Sequence, residues 1–544
     1  MVFVEHFKLS DITVAPFNSI QTPTATTRFQ TQPPPPPQHE VLRAITARTQ
    51  PGSKPGFRKN DKNTIGLIIE GGGMRASVGA GMLSAIAVLD LADAFDLVYG
   101  SSAGAICGAY FVSRQMCVDV LTRVLVAAKT KFVNKTAIYK SIAYIVLEKL
   151  RSPFSSIPFP FTSSKQQEDE TDDAILKETS IQYLGMNTTF VLDDIMDSGG
   201  LREFDHEVFV ENAKFQPLNI VTSYNRQNQV GSLVLSDFHA KSKPTLFSAL
   251  LASMTVPGVA GPPSKLPDDD NKTSIFDAFC CEPIPYRSAV GNCTHMLVLQ
   301  TRPRNANVTL AAGLYDNLLA PSYFETHGLG EMAAFHRAGG QLFTYAEDIL
   351  ILAEALEGEA VEVPVCDFAN DFFIGIGGNE KSVTRKEQQK FESAFICPIA
   401  IPGDSGVEQS PLEQDSDVVL NSFKAGFEEA YNVLAGIKGV QINSRWNGKI
   451  AGDVLFGKMD VIEGDYESIL SESKFFNGFR IMEGGRGKWW GGEKRKRNIL
   501  KKLGNRLLVR IRLKTRKTEE GVDCFPGLKD GRWEAFLPDF LPYV

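Results

Sequence analysis

Metal-ligand spacing is what this chain of 544 residues lacks most clearly. Its seven histidines include no HxxxH or HExxH pair, which argues against a zinc hydrolase. Its eight cysteines (107, 117, 280, 281, 293, 366, 397 and 524) contain no CxxC pair and no regular framework. That excludes a disulfide scaffold and reads as reduced, mostly buried thiols of an intracellular protein, with the adjacent Cys280 and Cys281 taken as core. Long apolar runs are scarce as well. Only the stretch around 97–113, LVYGSSAGAICGAYFVS, could pass for a membrane span, and its Gly and Ser content fits a buried strand–turn–helix better. No internal repeat is present. Neither a metal nor a cofactor is expected.

What the chain does have is a composition of ordinary globular type, 43% hydrophobic and 22% charged, with room for more than one domain. The formal charge of −7 conceals an asymmetry, because residues 486–517 hold 14 Lys/Arg and a single acid, Glu493. At helical spacing Leu500, Leu503, Leu507 and Ile511 share one face of that segment, and Lys501, Lys502, Arg506, Arg510 and Arg512 cover much of the rest. Such a basic amphipathic helix suits an anionic membrane surface. Three rival readings stand beside it: a strand over 509–514 (VRIRLK alternates at period two), a nuclear signal in KRKR, and a solvated face docked on an acidic body. No nucleic-acid partner is expected.

Along the chain, residues 1–62 read as an extended, disordered Pro/Thr/Gln-rich leader containing QTQPPPPPQHE. Seven Lys/Arg against three acids in its first 60 residues match an organelle transit peptide weakly, so the expected location is cytoplasmic or peripheral to a membrane, with targeting by the leader open. Residues 63–440 read as one α/β domain, with 114–214 mostly helical and broken by an apolar-then-acidic loop that suits a lid or insertion. Residues 441–544 form a C-terminal extension. Order begins with TIGLIIE, an apolar run that ends in glycines and is followed by a helix; DLVYG and AGAICGAYFVS repeat that pattern. Strand–turn–helix twice over predicts a three-layer α/β/α fold with a mostly parallel sheet. LNIVTSY (218–224), GSLVLSDF (231–238) and THMLVLQTRP (294–303) supply further strands.

Successive parallel strands open their C-terminal ends on the same sheet edge, so the two glycine turns should face each other across a crevice. The second turn reads G-x-S-x-G, with Gly100, Ser102 and Gly104. A serine on a tight strand-to-helix turn takes strained backbone angles, and its Oγ stands at a helix N-terminus. The first turn aligns the N–H groups of Gly71, Gly72 and Gly73, suited to a phosphate or to an oxyanion. Ala76 spoils the dinucleotide fingerprint and the P-loop Lys is missing, so beside a nucleophile elbow the oxyanion reading prevails. The hydroxyl then needs a base. His295, His327 and His336 are available downstream, although each reads as structural; Asp277, at the end of a short apolar run, is the acidic option. An ordinary strand-end Asp capping a turn is the plain alternative for it.

EGGGMR, YGSSAGA, TVPGVAGPP and FDAFCCEPIP…THMLVLQTRP, in this order, resemble the patatin-like phospholipases, especially their bacterial-type branch. CPIAIPGD and DSDVVLNSFKAGFEEAY resemble that family's later portion, so the likeness runs from about Thr64 to about Gly436. The resemblance implies a Ser–Asp dyad lipid acyl hydrolase: Ser102 as nucleophile, Asp277 as proton acceptor, Gly71–Gly73 as oxyanion hole. Arg75 matches the family's Arg after the glycines, a structural or charge-stabilising residue. Two positions depart from the family pattern. Ala76 stands where glycine is usual, and Asp277-Ala278-Phe279 replaces Asp-Gly-Gly or Asp-Gly-Ala. Where the family glycine holds a positive φ, alanine would cost about 1 kcal/mol or more and displace the carboxylate.

The leading expectation is therefore an esterase acting on acyl chains of lipids. The alternative, motivated by Ala278 and Phe279, is a catalytically weak or silent relative that binds lipid or protein. A nucleotide-binding Rossmann protein ranks last, given Ala76 and the serine elbow.

Overall fold

A computed structural model describes residues 39–456, apart from 152–184, 236–241, 267–271, 307–313, 366–371, 385–389 and a few shorter gaps, together with a two-stranded ribbon at 528–529 and 532–533. The polyproline, the whole of the expected lid loop and the basic segment 486–517 lie outside the described residues.

The strands follow the apolar runs. In chain order they are β1 (Ile65–Ile69), β2 (Leu97–Ser101), β3 (Leu218–Arg226), β4 (Gln229–Val234), β5 (Ser264–Lys265), β6 (Ser274–Asp277), β7 (His295–Leu299), β8 (Ala360–Pro364), β9 (Phe372–Gly377), β10 (Glu380–Thr384) and β11 (Phe391–Ile399). The main path of the sheet is β10-β9-β4-β3-β2-β1-β7-β11-β8, and β6 pairs with β3 and β5. The five central strands, β3-β2-β1-β7-β11, are mutually parallel, and antiparallel strands complete both sides.

All five residues of β1 are buried. A strand buried on both faces needs no polar alternation, and IGLII has none. Ile65, Leu67 and Ile69 pack into one apolar cluster with helix α2 (Ala76–Val88), helix α3 (Ala103–Val112) and the helix Ser416–Leu434. Ile68 faces the other way, into a cluster with Met296, Val298, Tyr345 and Leu352, where the helix Gly340–Ala355 covers the sheet. Two helical layers thus sandwich one sheet, as the repeated strand–turn–helix pattern implies. At about 1.5–3 kcal/mol for each fully buried aliphatic side chain, this central strand alone anchors both layers. The apolar stretch 97–113 divides into β2 and α3 within this sandwich, and no helix among the described residues is long and apolar enough to cross a membrane.

The start of the chain departs from the expected leader. Disorder was expected as far as residue 62, yet Glu40–Ala47 forms helix α1, with Val41, Ala44 and Ile45 buried in the main cluster. The reason is amphipathic: EVLRAITA puts those three on one face, and His39 caps the helix by accepting from Val41 N–H at 3.2 Å. Arg48 then fastens the segment to the sheet, donating to Asp61 at 2.7 Å, Asp96 at 2.6 Å and the carbonyl of Ala94 at 2.6 Å. Arg58 takes the other oxygen of Asp96 at 2.6 Å. Asp96 also accepts from Ile65 N–H at 2.8 Å, so the network grips the N-terminal ends of β1 and β2.

Candidate active site

At the opposite ends of β1 and β2 the two glycine turns meet. β1 runs straight into Glu70 and the glycines; Gly72 (φ 145°) and Gly73 (φ 57°) take angles that a β-carbon resists, and the chain then enters α2. β2 runs into Ser102 at φ 50°, ψ −127°, and α3 begins at the next residue. A non-glycine residue held there is strained by about 1–3 kcal/mol, which the surroundings must over-determine. They do so with hydrogen bonds and with close backbone approach. Ser102 N–H donates to Ser253 Oγ at 2.8 Å, and Ser253 Oγ donates onward to the carbonyl of Val221 on β3 at 2.7 Å. Gly100 and Gly104 have ordinary φ and serve by size: a β-carbon at Gly104 would sit 2.5 Å from the carbonyl oxygen of Ile69, and one at Gly100 would sit 2.7 Å from Ala105 Cα.

Asp277 ends β6, opposite Thr222 of β3, which brings its carboxylate to the elbow. Ser102 Oγ donates to Asp277 Oδ2 at 2.6 Å, and Phe279 N–H donates to Oδ1 at 2.9 Å. Both partners are buried, Asp277 at 1% exposure and Ser102 at 7%. Burial pushes the Asp277 carboxyl up to about 7, against the smaller downward pull of those two hydrogen bonds. Ala278 begins a 3-10 turn, away from the positive-φ region, and Ala76 has φ −58° at the start of α2. Neither departure from the family pattern therefore carries the backbone penalty that a left-handed glycine position would impose.

The three histidines lie elsewhere. His295 begins β7 in register with Ile65, at the far edge of the sheet. His327 Nδ1 is 2.8 Å from the Tyr323 carbonyl oxygen. His336 is enclosed by Phe279, Phe324 and Phe335, and burial drives it down to about 4. None is a hydrogen-bond partner of Ser102 among the described residues.

The glycine turn has a division of labour that spacing did not reveal. Gly71 N–H donates to Ser101 Oγ at 2.9 Å, and Ser101 Oγ donates to the Pro283 carbonyl at 2.7 Å. Ser101 thus ties together the first turn, the elbow and the loop after Asp277. The first amide of the three is committed, and of the next two glycines Gly72 lines the cleft. Behind them, the buried Glu70 accepts from Thr301 N–H at 2.5 Å and from Tyr345 Oη–H at 3.0 Å, and Thr301 Oγ donates to the Gly71 carbonyl at 2.8 Å. The cleft is lined by Glu70, Gly71, Gly72, Arg75, Ser101, Ser102, Asp277, Phe279, Pro283, Arg302, Gln341, Leu342 and Tyr345. Of these, Glu70, Ser101, Arg302, Gln341 and Tyr345 were not singled out from the sequence, nor was Ser253 behind the elbow. The doubled serine in YGSSAGA was the one available signal, since attack needs only one hydroxyl. No group of His, Cys, Asp and Glu among the described residues is arranged to hold a metal ion.

Fold and site together define a three-layer α/β protein with a strained serine at a strand–helix elbow, hydrogen-bonded to a buried acid. Residues 67–290 match the family model described as Patatin-like phospholipase, so this span is a patatin-like phospholipase domain and, in general terms, that of a lipid acyl hydrolase. The matched span stops before β7, short of the likeness read from the motifs. Among solved structures the chain is similar to VipD from Legionella pneumophila, at 11% identity and a TM-score of 0.26, over 76% of this chain and 80% of that one. It is also similar to the type III effector protein ExoU, at 15% identity and a TM-score of 0.19, over 81% of this chain and 76% of that one. No curated protein matches the sequence.

Proposed function

We propose that the protein hydrolyses fatty acyl esters of lipids through a dyad of Ser102 and Asp277. The observation that carries this reading is the 2.6 Å hydrogen bond from Ser102 Oγ to Asp277 Oδ2 at a strained elbow. Ionised Asp277 takes the proton of Ser102 as Oγ attacks the ester carbonyl, and the N–H groups of Gly72 and Gly73 receive the oxyanion. The tetrahedral intermediate collapses, Asp277 returns the proton to the departing alcohol, and an acyl ester on Ser102 remains. Water then attacks that ester, again losing a proton to Asp277, and the fatty acid leaves as Ser102 is restored. Gly71 shapes the turn, and Arg75 adds positive charge at the cleft.

The ordinary backbone of Ala278 removes the main motive for a silent, purely binding relative. A fluorophosphonate probe tests the choice. Covalent labelling of wild type and none of folded Ser102→Ala is expected, and an unlabelled wild-type serine would end the hydrolase reading. Peripheral membrane association through 486–517 belongs to the same proposal. Liposome co-sedimentation of the intact chain against a truncation ending at Glu483 tests it; equal binding of both to phosphatidylserine vesicles would refute it.

A further inference from the structure

One cation in the cleft has no role in the dyad chemistry. Arg302 follows β7 by three residues and is held close to the glycine turn, because its neighbour Thr301 bonds both Glu70 and the Gly71 carbonyl. Its guanidinium carbon lies over the Tyr345 ring, 4.4 Å from the centroid, a cation–π contact that holds the group at the cleft. Tyr345 is fixed in turn by donating to Glu70. Arg302 Nε is buried and has no hydrogen-bond partner, and the residue makes no ion pair among the described residues. Arginines elsewhere in the fold, such as Arg48, Arg58, Arg114, Arg202 and Arg287, each pair with a carboxylate within 3.0 Å. A guanidinium placed on an aromatic shelf in a cleft and left without an anion is a site awaiting one.

The remaining lining narrows the choice of anion. Phe279, Pro283 and Leu342 give the cleft an apolar portion suited to an acyl chain. Arg75 and Arg302 stand beside two carboxylates whose oxygens already accept hydrogen bonds, Glu70 from Thr301 and Tyr345 and Asp277 from Ser102 and Phe279. Gln341 Oε1 is buried without a donor, as a headgroup hydroxyl would require.

We propose that Arg302 is a specificity-determining residue that binds the phosphate of a phospholipid headgroup, so that the cleft selects phosphate-bearing acyl esters over neutral ones. This deepens the proposed hydrolase function and rests on it for the ester. The phosphate site itself can be measured without turnover. A charge-assisted hydrogen bond contributes about 1.5–3 kcal/mol, or about tenfold or more in affinity.

The test compares wild type, Arg302→Gln and Arg302→Lys, each checked for cooperative thermal unfolding. The kcat/KM ratio for lysophosphatidylglycerol over monoacylglycerol of equal acyl length should fall about tenfold in Arg302→Gln and recover partly in Arg302→Lys. In parallel, calorimetry on Ser102→Ala and on Ser102→Ala/Arg302→Gln measures binding of glycerol 3-phosphate, inorganic phosphate and butyrate. Arg302-dependent binding of glycerol 3-phosphate, tighter than of inorganic phosphate, supports a headgroup site. Equal binding of the two phosphates, or binding of butyrate instead, overturns the headgroup assignment. A selectivity ratio unchanged within twofold, with Arg302-independent binding, overturns it as well. Arg302-dependent glycerol 3-phosphate binding in a protein whose wild type hydrolyses neither ester would keep the phosphate site and defeat the hydrolase reading alone.

Discussion

The two edges of the parallel sheet treat buried polar groups in opposite ways. At the N-terminal edge, Arg48 (side chain 2% exposed) pairs with both Asp61 and Asp96, and Arg58 shares Asp96. Each charge there faces an opposite charge. At the C-terminal edge, Asp277 is buried with only a hydroxyl and an amide as partners, beside a serine held at φ 50°. The first arrangement stabilises its ions; the second leaves an acid near neutrality and a strained hydroxyl in contact with it. On the proposed function, stability is concentrated at one edge and reactivity at the other, and β1 and β2 connect them across only five residues each.

If that contrast is right, substitutions at the two edges should separate activity from stability. Asp277→Asn should lower kcat by a hundredfold to ten-thousandfold, the range for loss of a general base. The same variant should be more stable than wild type at pH 8. A carboxyl raised to about 7 keeps its proton in the folded state above roughly pH 4 while the unfolded chain releases it, so stability falls as pH climbs to 7. Denaturation at pH 5 and pH 8 checks this; a wild type equally stable at both, relative to Asp277→Asn, would contradict it.

Arg48→Met should do the reverse. Removing the buried cation takes the ion-pair partner from Asp61 and leaves Asp96 with Arg58 and the Ile65 N–H, and a loss of about 1.5–3 kcal/mol in chemical denaturation is expected with activity per folded molecule within twofold of wild type. A large fall in specific activity would mean that the edges are coupled. Ser253→Ala sharpens the comparison on the reactive side by deleting the bridge between the Ser102 amide and Val221. About a tenfold loss of kcat with little change in KM is expected, since an unsatisfied buried amide costs about 1–3 kcal/mol. Ala278→Gly has the smallest effect: activity within about twofold and stability lower by about 0.5–1 kcal/mol, because glycine gains nothing from a helical φ. A strong activation on restoring glycine would show that the turn after Asp277 is strained after all.

Much of the reactive edge was legible in the sequence because it is local. The runs IGLII and LVYG, each stopped by glycine and followed by a helix, fix two strands, two turns and the serine between them. Asp277 was legible as the end of an apolar run and through the family motif. The supporting residues were not, because they arrive from far along the chain. Ser253 reaches Ser102 across 151 positions, Tyr345 reaches Glu70 across 275, and no local periodicity encodes such pairs. The commitment of Gly71 N–H to Ser101 is likewise a matter of three-dimensional approach. Helix α1 was hidden for another reason: eight amphipathic residues beside a polyproline tract read as leader until Arg48 and its carboxylates are seen to fasten them.

The central claim, that buried Asp277 is the base for Ser102, is tested most directly by the pH dependence of kcat/KM on a phosphate-free ester. Glu282→Gln serves as the control, because Glu282 is also buried and pushed up to about 7. The account predicts that wild type and Glu282→Gln both rise with unit slope to a plateau above about pH 7, and that the residual activity of Asp277→Asn lacks that inflection. An inflection that survives in Asp277→Asn, or disappears in Glu282→Gln, would contradict it.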